Sequence, residues 1–164
     1  MPEPRASVPK MGFPAERPEL HQWSESKGIL EKASTYLLAT VRPDGRPHVT
    51  PLWGVWLNDA LYFATSEESR KGKNMAVNPR CAVSVSHGDL NLVVEGRVSI
   101  VRDEAQLQKV LESYTPKYDL PMVVRDGGVY MDNGDGGAVY VLEPEVGFSF
   151  TEEGGFAATR WRFG

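Results

Sequence analysis

Cysteine is almost missing. Cys81 is the only one in 164 residues, which excludes an internal disulfide. Histidine is scarce as well: His21, His48 and His87 stand far apart, and no Cys/His spacing matches a zinc site, so no bound metal is expected. No apolar run approaches the ~20 residues of a membrane span. Positive charge is in short supply, with 18 Lys and Arg against 22 Asp and Glu and a formal net charge of −4. A nucleic-acid-binding surface is basic, so that class is excluded. There is no Walker-type phosphate loop, and no Gly-x-Gly-x-x-Gly follows a strand. Met1-Pro2-Glu3-Pro4-Arg5 lacks the apolar centre of a secretion signal. These absences lead to the expectation of a soluble cytoplasmic protein with neither membrane nor nucleic-acid partners.

The length suits one domain with a sizeable core. Residues 1–19 carry Pro2, Pro4, Pro9, Pro14 and Pro18 and read as an extended arm, either free or laid along a partner subunit. Residues 20–164 read as a single domain. Leu20, Trp23, Ile29 and Leu30 predict a helix over 20–32. Two β-prone runs, Tyr36–Val41 and Pro47–Trp56, flank the turn Pro43-Asp44-Gly45 and predict a hairpin. Pro51 removes a ladder donor, which predicts an edge or a bulge. Asn58-Asp59 turns the chain into the strand 61–65.

Farther on, strands are expected over 81–86 and 92–101, with Gly96 marking a bend or bulge. Asp103 caps a helix whose Leu107, Val110, Leu111 and Tyr114 form a core-facing stripe. Residues 116–137 read as loop. Asp132-Asn133-Gly134-Asp135 superficially suggests a calcium loop, but the closing glutamate and flanking helices are missing. Ala138–Leu142 and Val146–Thr151 read as two strands joined at Glu143-Pro144, and Thr159–Phe163 as the last. Six or more hairpin-connected strands with two or three helices predict a mainly β fold, an antiparallel β-barrel with flanking helices.

One stretch carries chemistry. After Thr65, Ser66 or Ser69 can cap a helix, and Arg70, Lys71 and Lys73 fall in its first turn. Cations are disfavoured there, because the helix dipole already makes that end positive. Hydroxyls, free N–H groups and cations gathered at one helix start form a seat for a phosphate. Asn78-Pro79 ends the helix. In an acidic protein, a basic cluster this local points to a small anionic ligand.

Leu38-Ala39-Thr40-Val41, Asp44-Gly45-Arg46-Pro47-His48, Pro51-Leu52-Trp53, Leu61-Tyr62-Phe63-Ala64-Thr65, Ser69-Arg70-Lys71 and Asn78-Pro79-Arg80 occur in an order and spacing that resemble the flavin/deazaflavin oxidoreductase superfamily. The resemblance covers about residues 20–164. It implies the split barrel of pyridoxamine 5′-phosphate oxidase and a homodimer with F420 or FMN at the subunit interface. It further implies that Arg70, Lys71, Thr65, Ser66 and Ser69 bind the cofactor phosphate, with Lys73 and Asn74 one turn on. A bulged strand of His48, Val49, Thr50, Pro51, Leu52 and Trp53 would lie along the ring. Its bed would be Val49, Leu52 and Trp53. Trp53 and Trp56 are three apart in a strand, so at most one faces the ring unless a bulge intervenes. Pro51-Leu52-Trp53 and the ending Ala158-Thr159-Arg160-Trp161-Arg162-Phe163 look most like the F420-using branch. A longer cofactor would need a basic track, for which Lys73 and Arg80 are the candidates. The Arg-x-His element of pyridoxamine phosphate oxidases is replaced by Arg160-Trp161-Arg162, so another substrate is expected.

The implied activity is hydride transfer between the bound cofactor and a small unsaturated or electron-poor substrate. His48 and Tyr118 are the side chains to consider for proton transfer, with solvent as the simpler source. The alternative is a non-catalytic split barrel that binds flavin or haem. Haem would call on His87 or Cys81 as an axial ligand.

Overall fold

The computed structural model describes residues 3–11, 20–152 and 154–164. In chain order the elements are β1 (Arg5–Ser7), α1 (Trp23–Lys32), β2 (Tyr36–Val41), β3 (Pro47–Leu52), β4 (Val55–Leu57), β5 (Ala60–Thr65) and α2 (Arg70–Val77). Then follow β6 (Arg80–His87), β7 (Leu90–Ile100), α3 (Glu104–Tyr118), β8 (Val123–Arg125), β9 (Gly128–Tyr130), β10 (Gly136–Thr151) and β11 (Ala157–Arg162). The fold is mainly β with helices outside, as the turn and strand pattern predicts.

Strand β10 is the spine of the sheet. Along one side it pairs β7, then β6, β2 and finally β3. Along the other, its first half pairs β5 and its second half β11. β5 carries β4, and β11 carries β1. β3 and β4 are consecutive in the chain but unpaired with each other, which leaves a split seam at Trp53-Gly54. The described part of the N-terminal arm lies along its own subunit, because Arg5–Ser7 pairs with Arg160–Arg162. Residues 12–19 of the proposed arm lie outside the described residues.

Three strand expectations need correction. The run 47–56 is two strands, broken at Trp53-Gly54. Gly54 is required there: a Cβ would press on the Leu61 side chain and the Tyr62 carbonyl. Pro51 lies on an edge strand, which bears out that reading of it, while the bulge implied by the resemblance is absent, since β3 pairs β2 in unbroken register from Pro47↔Val41 to Leu52↔Tyr36. The runs 138–142 and 146–151 form one strand, whose register slips between Pro144 and Val146 against β7. The bulge anticipated at Gly96 therefore sits in the partner strand. Gly96 instead makes room for the Glu143 carbonyl, which any Cβ would strike.

The loop expected over 116–137 is also corrected. Pro116 lies within α3, and β8 and β9 form a hairpin. Asp126 and Gly127, with φ of 50° and 72°, supply the two positive-φ residues that a tight hairpin turn needs. The local signal for this hairpin is Asp126-Gly127 between the short strands Val123–Arg125 and Gly128–Tyr130.

Two cores explain the continuous apolar runs 60–64 and 138–142. Inward, Trp56, Leu61, Phe63, Tyr140 and Leu142 join Tyr36, Leu38, Val83, Val94 and Trp161. Helix α1 covers this interior with Trp23 and Leu30, and the Tyr36 hydroxyl donates to the Leu30 carbonyl. Outward, Val55, Tyr62, Val139 and Val141 meet Leu107, Val110, Leu111 and Tyr114 of α3. Strands covered on both faces lose the apolar–polar alternation. By contrast, paired residues of β2 and β3 leave an apolar outer face: Leu37 with Pro51, Ala39 with Val49 and Val41 with Pro47. Leu37 and Val49 are exposed.

Candidate functional site

Ser69 is the N-cap of α2. Its Oγ accepts from the Gly72 N–H at 3.1 Å and donates to the Ser66 carbonyl at 2.7 Å. Thr65 Oγ1 lies 3.3 Å from the same hydroxyl, and Ser66 Oγ accepts from the Glu68 N–H at 3.2 Å. The loop 66–69 thus folds back over the helix start. Gly72 permits the approach, because a Cβ there would strike the Ser66 and Glu67 carbonyls.

The cations of the first turn divide into two kinds. Lys73 pairs with Glu68 at 3.0 Å. Among the described residues, neither the Arg70 guanidinium nor the Lys71 ammonium has an acceptor. Arg80, the farther cation of the anticipated track, pairs with Glu145 at 2.9 Å. A compact positive seat therefore stands open at Arg70 and Lys71, while the outward cations are engaged.

Asn74 is placed differently from the expectation. It is completely buried on the inner side of α2, and its Nδ2 donates to Thr40 Oγ1 at 2.9 Å. It pins α2 to β2, and its Oδ1 is buried without a hydrogen-bond partner among the described residues. Asn74→Ala is expected to cost about 1–3 kcal/mol by removing this bond and opening a small void. A urea titration monitored by circular dichroism checks it.

Leu52 is a second correction: its side chain is buried in the inner core and unavailable to a ring. Val49 faces the opposite side of β3 and is exposed, while His48 and Thr50 are half-buried on the inner side. The two tryptophans separate, but the break at Trp53-Gly54 removes the single strand on which the spacing argument rested. Trp56 belongs to the core, and Trp53 is 49% exposed. β4 pairs β5 as Val55↔Tyr62. The ladder covers Val55–Leu57 only, so Trp53 lies just outside it, in the break between β3 and β4.

The Trp53 ring stacks on Tyr118 at 5.0 Å and 9°. Tyr118 OH lies 2.8 Å from the Gly54 carbonyl and 2.9 Å from that of Ser34, and accepts from the Gly54 N–H at 2.9 Å. Burial raises its pKa, with the Gly54 bond opposing more weakly. A hydroxyl so engaged is a poor proton donor, which argues against the catalytic expectation for Tyr118.

Cys81 and His87 stand at opposite ends of β6, about 20 Å apart at ~3.3 Å per residue. They cannot serve one iron together. Cys81 is buried, which pushes its thiol up to about 12. Among the described residues there is no group of three or more His, Cys, Asp or Glu side chains that could hold a metal ion. No described helix is long and apolar enough to cross a membrane.

Comparison with known proteins adds the family. The family model described as pyridoxamine 5′-phosphate oxidase matches residues 23–134. A pyridoxine/pyridoxamine 5′-phosphate oxidase of Methylibium petroleiphilum is 36% identical over 91 residues, covering 52% of this chain and 42% of that protein. The chain thus spans less than half the length of that curated relative. A solved F420 reductase is 31% identical with a TM-score of 0.57, covering 74% of this chain and 94% of the other. A heme-binding protein from Mycobacterium smegmatis shares the fold at 18% identity and a TM-score of 0.62, covering 82% of this chain and 55% of the other.

Proposed function

Because the chain belongs to the pyridoxamine 5′-phosphate oxidase family, we propose that it is an oxidoreductase that holds F420 or FMN at the α2 seat. The observation carrying this reading is the pair of uncompensated cations, Arg70 and Lys71, at the Ser69-capped start of α2. The donor set suits a phosphate: two cations, the Ser66 hydroxyl and the first N–H groups of α2, with the Ser69 hydroxyl turned to the Ser66 carbonyl. Trp53 offers an apolar face to a planar ring. When bound, either cofactor supplies the hydride chemistry for a small electron-poor or unsaturated substrate. The residues of this chain bind the phosphate, orient the ring and exclude water. Proton delivery falls to solvent or His48, because Tyr118 is committed to Gly54 and Ser34.

F420 is the favoured cofactor, on the Pro51-Leu52-Trp53 strand, the C-terminal ending and the likeness to an F420 reductase. Its longer acidic tail would have to draw Lys73 away from Glu68. Titration of F420 and FMN, followed by fluorescence, tests the proposal. Micromolar binding of either is expected, and binding of neither overturns it. A Soret band in the purified protein would favour the haem-binding alternative.

A second copy of the chain is the proposed cover for the outer face of β2–β3, where Leu37, Val49 and Pro51 cluster. Val49→Asp places a charge in that face. Light scattering should give a dimer for the native chain at micromolar concentration and a shift toward monomer for the variant. A native monomer would contradict the proposal.

A further inference from the structure

The last turn of α3 does more than close the outer core. Three of its side chains reach the seam and grip the Trp53-Gly54 corner. Tyr114 OH donates to the Trp53 carbonyl at 3.2 Å. Tyr118 engages both the N–H and the carbonyl of Gly54. Lys117 Nζ donates to the Gly54 carbonyl at 2.9 Å, and to the Glu31 carbonyl and Tyr36 OH at 3.3 and 3.4 Å. The same ammonium lies over the Tyr36 and Tyr118 rings, 5.3 and 5.4 Å from their centres.

Lys117 is unusual among the cations here. Among the described residues it has no carboxylate partner, and every acceptor it uses is neutral. Burial lowers its pKa, so the site keeps a lysine against a desolvation cost. A solvated surface lysine would carry no such desolvation cost. What the arrangement secures is the Trp53-Gly54 corner, where β3 and β4 follow one another without pairing. Tyr118 covers one face of the Trp53 indole, and the residue as a whole is 49% exposed.

We propose that Lys117, with Tyr114 and Tyr118, is a positioning residue that locks the Trp53-Gly54 corner and holds the Trp53 indole as a stacking surface for a planar ring. The ligand half rests on the cofactor reading above. The positioning half does not, because it concerns the free protein.

The test separates the two. Trp23, Trp56 and Trp161 are buried, so iodide quenching and time-resolved anisotropy of the exposed tryptophan report on Trp53, with Trp53→Phe as the blank. In Lys117→Met, the anisotropy of Trp53 is expected to acquire a nanosecond component absent from the native chain. Affinity for FMN or F420 is expected to fall about tenfold, the size of one lost bond to a charged group. Tyr118→Phe keeps both rings and removes only the hydroxyl. It should move the same readouts less, and it serves if Lys117→Met does not fold. Unchanged anisotropy in a folded Lys117→Met, or in Tyr118→Phe where that variant replaces it, overturns the positioning role whatever binds. Altered anisotropy with unchanged affinity overturns the stacking role. Failure of the native chain to bind either cofactor removes the ligand half and leaves the anisotropy result standing.

Discussion

Replacing Arg70 and Lys71 together by alanine should lower cofactor affinity by a hundredfold or more. Each cation would contribute a charge-assisted bond of about 1.5–3 kcal/mol, and each 1.4 kcal/mol is tenfold. Two such losses reach 10²–10⁴ if they add, and neighbouring cations on one phosphate need not add fully. Lys73→Ala is the internal control. Its ammonium is already held by Glu68, so a much smaller change is expected. Dissociation constants for both cofactors, measured on all three proteins, decide the matter. Equal affinity throughout would make the basic helix start a solvated face and nothing more.

The same titration, repeated across pH, distinguishes the cofactors by their phosphates. A monoester has a second pKa near ~6 and carries nearly two charges at neutral pH. Below that pKa it gains a proton, and its attraction to Arg70 and Lys71 weakens. FMN affinity should therefore fall as pH drops from 7 to 5. A phosphodiester has no such proton to gain, so F420 affinity should hold over that interval. Parallel curves would mean that the phosphate is not what the seat recognises.

Trp161→Ala is expected to destabilise the fold by about 3–5 kcal/mol, the usual cost of truncating a fully buried aromatic side chain. Trp161 is 1% exposed and packs edge-on against Trp23 at 5.3 Å. At roughly 2–4 °C per kcal/mol for a chain of this size, the midpoint should fall by about 6–20 °C. Differential scanning calorimetry checks it. A shift below ~2 °C would show that α1 and β11 do not share one core. The ending 158–163 bears on family resemblance at the sequence level, yet in the fold Trp161 is core and Arg160 pairs across to Phe148 on β10. Its lack of the Arg-x-His element speaks to substrate, while its tryptophan speaks to stability.

Where the chain is punctuated by local chemistry, the sequence alone determined the result. Ser69 could cap and Asn78-Pro79 could stop, so α2 begins and ends between them. Asp103 fixed the start of α3, and the alternation of 81–86 predicted a half-buried strand. Net charge and the lone cysteine removed whole classes of function before any fold was considered. Asp126-Gly127 was equally local, and its hairpin was legible in principle.

What only the tertiary structure decided depends on neighbours remote in the chain. Asn74 sits one turn after two open cations, and nothing local says that Thr40, 34 residues away, takes its amide. Leu52 and Trp53 are adjacent apolar residues. One is core and the other exposed because β3 ends at Leu52 and the chain leaves the sheet at Trp53. Arg80 is a free cation in sequence and a paired one in space, since the turn of β10 brings Glu145 to it. The grip of Lys117 on Gly54 spans 63 residues. Helix caps and turns are written in a few consecutive residues because their bonds close within one turn of chain. A site assembled where a barrel fails to close is written across the whole chain, and it becomes visible only when the strands are in register.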